Sequence, residues 1–304
     1  MTEKLRNIAL IGHGGSGKTT LAEVLLHHAG VTKRLGSVDE GNAVMDFEPE
    51  ELKRRSSISS AFHQFEWKKT KVNLIDTPGD QNFFSDTRMC MQAADGALVV
   101  IDAIDGVKVQ SEQAWEFAEE FNLPVMIYIN KVDRERADFY KAFEDAKNIF
   151  EPKPILLQLP IGQEDSFAGV VDLLSMKAIT YTDGKAAVGE IPDDLKETAE
   201  SEREAMVENI AEADDELVEK YLEGEELSQS DLYGALQKGI LNRTFAPVVC
   251  GAAAKRIGVD PLFELFAEAM PAPTQRGPKE GYEPGTENEI TRKPDPSEPF
   301  SALV

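Results

Sequence analysis

Gly12-His13-Gly14-Gly15-Ser16-Gly17-Lys18-Thr19 follows directly on the apolar run Ile8 to Ile11 and leads into Thr19 to His28, where Leu21, Val24, Leu25 and Leu26 recur at helical spacing. Strand, glycine-rich turn and helix in that order supply the context that the pattern G-x-x-x-x-G-K-S/T requires. The glycines let successive backbone N–H groups point inward, the helix start adds partial positive charge, and Lys18 adds a full one. The stretch is therefore expected to cradle a polyphosphate with Gly12, His13, Gly14, Gly15, Ser16, Gly17, Lys18, Thr19 and Thr20. Thr19 is expected to place its hydroxyl on Mg²⁺, while the His13 side chain reads as structural. A glycine-rich turn with a solvated lysine is the competing reading, and it leaves the full spacing to chance.

Working outward, Val72 to Ile75, Ala97 to Ile101, Val125 to Ile129 and Pro247 to Cys250 are short, nearly all-apolar runs that suit parallel strands covered on both faces. Between and after them, Ser111 to Phe121, Asp138 to Phe150 and Pro261 to Met270 carry helical stripes. The alternation predicts an α/β fold, the doubly wound, mostly parallel sheet of a P-loop NTPase. It is interrupted between about Leu157 and Phe245, where an inserted α+β subdomain is expected. That insert has a β-rich opening from Phe167 to Tyr181, a helical stripe from Asp193 to Leu222, and a capping box at Ser228-Gln229-Ser230-Asp231. The expected division is a nucleotide-binding body over 1–156 and 247–275, an insert over 157–246, a Pro- and Gly-rich linker over 276–298, and the start of a further domain over 299–304.

Composition sets limits on function. With 55 acidic against 32 basic residues the formal charge is −23, so the chain as a whole cannot coat a nucleic-acid backbone, DNA included, by electrostatics. Cys90 and Cys250 are the only cysteines, and no disulfide framework is indicated; a reducing cytoplasm fits best. No apolar stretch approaches the roughly 18 to 20 residues of a membrane span. His27, His28 and His63 lack ligand spacing, and Trp67 and Trp115 read as core.

Phosphate binding alone leaves kinases, ATPases and GTPases open, and the base-reading motifs decide between them. Asn130-Lys131-Val132-Asp133 follows the strand Val125 to Ile129, at the strand ends where open α/β sheets bind ligands. Asp133 can accept from both N1–H and the 2-amino group of guanine, and the Lys131 stem can cover the ring. Adenine would leave a buried carboxylate unpaired, a mismatch that discriminates by about 10⁴ in favourable sites. Gly251, Ala252 and Ala253, after the next strand, can offer N–H groups to the guanine O6. Asp76-Thr77-Pro78-Gly79 ends the strand Val72 to Ile75, which suits Asp76 reaching Mg²⁺ through water and a Gly79 N–H reaching a γ-phosphate. Gly41 to Ser60 shows no clear periodicity and reads either as a mobile first switch or as a solvated loop.

These motifs stand in the order and spacing of the translational GTPases, and the chain resembles the elongation factor G family, as a divergent paralog, over nearly its whole length. In that resemblance Met45-Asp46-Phe47 through Ser59 is similar to the first switch, which implies Ser57 at a Mg²⁺-binding threonine position, so the implied metal set is Thr19, Ser57 and Asp76. It further implies GTP/GDP and Mg²⁺ as ligands, hydrolysis with Lys18, Gly79 and Asp80 as the catalytic positions, and the ribosome as partner through large-subunit RNA and stalk proteins. The expected protein is cytoplasmic, bound to neither membrane nor DNA, and this chain is expected to be a monomeric piece of a longer one. The acidic helical stretch Asp193 to Leu222 reads equally as a stalk contact and as a solvated face.

Four positions depart from the family pattern. Asp80 stands for a histidine that orients the attacking water; ionised at about 6 Å from a γ-phosphate charge, it would be repelled by about 3 kcal/mol at an effective dielectric near 20. Gly15 replaces an acidic P-loop residue, Arg55 a glycine of the first switch, and Ala252 a serine beside the base. Two functions therefore stand at this stage, a GTPase and a GTP-dependent binding switch with negligible hydrolysis; ribosome protection or recycling is a third.

Overall fold

The computed structural model describes residues 2–223, 227–283 and 285–302. In chain order the body begins with β1 (Leu5–Ile11), α1 (Lys18–His28), α2 (Pro49–Arg54), β2 (Ala61–Trp67), β3 (Thr70–Asp76), α3 (Phe84–Met91), β4 (Gly96–Asp102), α4 (Val109–Glu120), β5 (Val125–Asn130), α5 (Phe139–Ile149) and β6 (Lys153–Leu156). The interruption follows with β7 (Gln158–Ile161), β8 (Gly169–Asp172), β9 (Lys177–Thr182), β10 (Lys185–Gly189), α6 (Lys196–Ala211), α7 (Asp215–Leu222) and α8 (Gln229–Leu241). The chain returns with β11 (Phe245–Cys250) and α9 (Asp260–Glu268), then forms β12 (Lys279–Tyr282) and β13 (Glu289–Arg292).

Seven strands form one sheet in the order β2-β3-β1-β4-β5-β11-β6, parallel throughout except for the antiparallel edge pair β2 and β3. Every residue of β4, β5 and β11 is buried, which is why these strands read as unbroken apolar runs. Leu21, Val24, Leu25 and Leu26 of α1 and Leu262, Phe263, Leu265 and Phe266 of α9 are buried in the same core. The order of winding reverses at β1, with β3 on one side and β4 on the other, all three parallel. The loops after β1, β3, β4, β5 and β11 therefore all emerge at the carboxyl edge of the sheet, where such folds bind ligands.

The interruption holds a separate antiparallel sheet, β10-β9-β8-β7, with α6, α7 and α8. The Ser228–Asp231 capping box forms as expected, with the Ser228 hydroxyl accepting from the Asp231 N–H. The long helix expected from Asp193 to Leu222 is instead two, because Asp214 leaves the helical conformation and caps α7 by accepting from the Glu216 N–H. The stretch expected to be a Pro- and Gly-rich linker contains the hairpin β12 and β13. Pro299 to Ala302 carry no strand, and 303 and 304, the rest of the expected further domain's first strand, lie outside the described residues. Trp115 is core as expected, stacked on Phe150 at 4.1 Å between ring centres; Trp67 lies 4.6 Å from Phe263, half-buried.

Candidate functional site

The phosphate loop is built on glycines that no other residue could replace cheaply at two points. Gly12 has φ +133 and a Cβ there would stand 2.5 Å from the Val100 carbonyl oxygen; Gly17 has φ +94 and its Cβ would stand 2.4 Å from Asn130 Nδ2. Gly15 also has positive φ, but its Cβ would meet open space, so only the backbone holds that position to glycine. Lys18 is buried and donates from Nζ to the carbonyls of Gly12 at 2.9 Å and His13 at 2.8 Å. Gly79 packs against this loop so tightly that a Cβ would lie 2.5 Å from both Gly14 N and Lys18 Nζ.

Beside Lys18 lies an oxygen cluster. Thr19 Oγ1 and Ser57 Oγ are 3.0 Å apart, and the Ser57 hydroxyl also donates to Asp46 Oδ1 at 2.7 Å. Asp76 is buried at the end of β3, and its Oδ1 has no hydrogen-bond partner among the described residues. Burial pushes the Asp76 carboxyl up, against the lowering effects of the Thr19 hydroxyl and the Lys18 ammonium. Burial likewise pulls the Lys18 ammonium down, with Asp76 opposing it. Three oxygen donors, one of them an unsatisfied buried carboxylate, fit a hard divalent cation of the Mg²⁺ kind, whose charge would hold Asp76 ionised.

The segment Gly41 to Ser60 is no featureless loop. Pro49 at the first helical position and a capping box between Glu48 and Glu51 start α2. The fully buried Glu51 then closes the segment: Oε1 accepts from the N–H of Ile58 at 2.8 Å and of Ser59 at 2.9 Å, and Oε2 from the Glu48 N–H at 2.9 Å. Met45 is anchored in the same way by its N–H donating to buried Glu23 at 2.8 Å.

On the other side of the cleft, Asn130 donates from Nδ2 to the Ser16 carbonyl at 2.9 Å and accepts from the Ala253 N–H at 3.0 Å, tying the phosphate loop to the turn after β11. Lys131 has φ +63 and lays its Nζ 2.6 Å from both the Gly15 carbonyl and Asp102 Oδ2. Asp133 is buried, with Lys255 Nζ 3.3 Å from its Oδ2. The backbone N–H groups of Gly251, Ala252 and Ala253 are engaged by Ile129 O, Ile257 O and Asn130 Oδ1, which opposes the expectation that they point at a base in this conformation.

Gly14, Gly15, Gly17, Lys18, Thr19, Thr20, Ser57, Gly79, Asn130 and Lys131 thus come together around a cleft of about 390 Å³, whose wall also includes Arg55, Arg134 and Ala254. A larger hollow of about 450 Å³ lies away from these loops, along β2 and β3. His13 is turned away from the cleft, buried, with Nδ1 2.9 Å from the Ser111 hydroxyl; burial, then Lys18 and Lys108, pulls its imidazole down to about 4. One of its ring nitrogens lies within 4.8 Å of an Asp102 and an Asp105 carboxylate oxygen, but Lys131 and Lys108 already pair with those carboxylates. Asp80 is exposed and caps the next turn, its Oδ1 accepting from the Asn82 N–H at 2.9 Å and Nδ2 at 2.8 Å.

Asp46, Glu51, Asp102 and Lys255 escaped the sequence reading. Glu51 alone left a local signal, the Pro49 and Glu51 spacing of a capped helix start; the other three acquire their partners only through the fold.

The sequence profile describing the elongation factor Tu GTP-binding domain matches residues 3–272. Elongation factor G of Thermotoga petrophila is 41% identical over 99% of this chain, which covers 44% of that protein. Elongation factor G 2 of Syntrophus aciditrophicus is 40% identical over 99% of this chain and 45% of its own length. A crystal structure from Thermus thermophilus superposes with a TM-score of 0.85 at 35% identity, over 94% of this chain and 44% of that one. The chain thus spans under half the length of these relatives. Among the described residues no helix is long and apolar enough to cross a membrane.

Proposed function

The chain belongs to the elongation factor Tu GTP-binding domain family, and from that premise we propose that it binds and hydrolyses GTP as part of an elongation-factor-G-like factor acting on the ribosome in the cytoplasm. The body is 1–156 with 247–275, the insert 157–246, and 276–298 leads onward. The observation that carries the reading is the junction at Asn130, where one buried carboxamide joins the phosphate loop to the turn after β11.

In this reading the backbone N–H groups of Gly14 to Thr19 and the ammonium of Lys18 hold the phosphates, Lys18 exchanging its two carbonyl partners for phosphate oxygens. Mg²⁺ would be held by Thr19 and Ser57, with Asp76 reaching it directly or through water, and would neutralise charge on the phosphates. Asp133 selects guanine once its carboxylate turns from Lys255 to the base edge, and Lys131 covers the ring. In hydrolysis the water oxygen bonds to the terminal phosphorus as the bridging oxygen leaves on GDP with the bond pair, and the water's protons pass to phosphate and solvent. Calorimetry with GDP and ADP tests this: GDP is expected to bind at least about a hundredfold more tightly. Equal binding, or none, removes the reading.

A second reading, a GTP-dependent switch with negligible turnover, is favoured by Asp80, whose carboxylate is occupied by Asn82. Single-turnover hydrolysis with and without ribosomes, for the wild type and Asp80→His, separates the two. A slow wild type rescued by Asp80→His supports the switch; a fast wild type removes it.

A further inference from the structure

We propose that Arg55 contacts phosphate in cis: its guanidinium binds the terminal phosphate of the bound triphosphate from the first-switch side of the cleft. The inference rests on the guanine-nucleotide reading above and adds a residue to it. Arg55 lines the cleft together with Ser56, Ser57, Lys18 and Gly79. Its guanidinium has no ion pair or side-chain hydrogen bond among the described residues, whereas the adjacent Arg54 is paired with Glu50 at 3.3 Å. A cation is thus left uncommitted at the rim of a cleft built for an anion.

The backbone beneath it is tightly held. Arg55 is the C-cap of α2 with φ +55 and ψ +43, a left-handed conformation that glycine adopts without the Cβ clash an arginine incurs. The turn cannot relax, because the Glu51 carbonyl accepts from the N–H of Arg55 and of Ser56, the latter at 3.2 Å, while the Glu51 carboxylate holds Ile58 and Ser59. Glu51 thereby holds Arg55 and Ser57, two residues apart, at the wall of the cleft as one unit.

The chemistry of the group suits the place. A guanidinium is always charged and presents a planar fork of donors that matches two phosphate oxygens at once. Charge spreads over the oxygens of the transferring phosphoryl group, and an arginine supplied in cis is one established way to stabilise it. Arg55 gives up no proton and forms no bond in the step; it lowers the energy of the triphosphate and of the charge that develops as GDP departs.

The test compares the wild-type chain with Arg55→Gly, Arg55→Ala and Arg55→Lys in the presence of Mg²⁺. Calorimetry with a non-hydrolysable GTP analogue and with GDP, single-turnover hydrolysis and melting temperature are measured on each. Arg55→Gly and Arg55→Ala are expected to weaken the analogue by at least about tenfold and GDP by less than about threefold. Hydrolysis should slow by at least about tenfold in both, with Arg55→Lys in between. Arg55→Gly should melt no lower than the wild type, because glycine suits the left-handed turn. Wild-type analogue affinity and rate in Arg55→Gly overturn the inference, and so does a loss in Arg55→Ala alone, which would assign the effect to the backbone. A wild type that binds no guanine nucleotide overturns the functional reading itself; normal binding unaffected by all three changes removes Arg55 only.

Discussion

Asn130→Ala is the perturbation that most directly probes the site. Asn130 ends β5, is 2% exposed, and satisfies the Ser16 carbonyl at 2.9 Å and the Ala253 N–H at 3.0 Å. Alanine leaves both buried groups without that partner, and each costs about 1 to 3 kcal/mol, so the summed loss is about 2 to 6 kcal/mol. The low end applies where a water bridges the two groups in the space vacated by the carboxamide. Urea unfolding without nucleotide reads this loss directly, since bound ligand would add its own stabilisation. The same substitution frees the turn after β11 from the phosphate loop, so GDP affinity should fall by at least about tenfold, beyond any effect on folding. Asn130→Asp keeps an acceptor for Ala253 but sets a carboxylate against the Ser16 carbonyl, and should do no better than alanine. A stability loss below about 1 kcal/mol with unchanged GDP affinity would refute the claim that this side chain joins the two loops.

The glycines give a paired prediction: Gly15→Ala should fold with a loss of about 1 kcal/mol, being strained only by its φ of +85, whereas Gly17→Ala, 2.4 Å from Asn130 Nδ2, should lose several times that and most nucleotide binding. Comparable unfolding midpoints for the two would contradict it. His13 titrates near 6.5 unfolded but is pulled down to about 4 in the fold, so between those values the unfolded chain binds more protons and stability falls as pH drops, by up to about 3 kcal/mol. His13→Gln should flatten that part of the pH profile relative to the wild type, and parallel profiles would discount the residue. Ser57→Thr should preserve the Mg²⁺ dependence of triphosphate binding while Ser57→Ala shifts its midpoint upward at least about threefold; an unmoved midpoint in Ser57→Ala removes Ser57 from the metal set.

Legibility in the sequence followed how locally each feature is stabilised. The strands β1, β3, β4, β5 and β11 announced themselves as apolar runs because both faces of the sheet are covered there. The edge strand β2 did not, since Ala61 and Phe65 are buried while Phe62, Gln64 and Glu66 are exposed, a weak pattern without the pairing to β3 that holds it. The segment Gly41 to Ser60 showed no clear pattern for a related reason. Its order comes from Glu23 and Glu51, buried carboxylates whose acceptors find backbone N–H groups up to 22 positions away.

By itself the sequence determined the doubly wound fold, the phosphate-loop pattern and the place of Asn130 to Asp133 at a strand end, because a strand–glycine turn–helix unit carries its geometry within a few residues of chain. Tertiary structure decided which of those residues face the cleft. It turned His13 toward Ser111, set Asp80 on Asn82, occupied the N–H groups of Gly251 to Ala253, and brought Asp46 to Ser57 and Arg55 to the rim. Side-chain direction and hydrogen-bond partnership depend on groups distant in sequence, so they exist only once the sheet has gathered its loops along one edge.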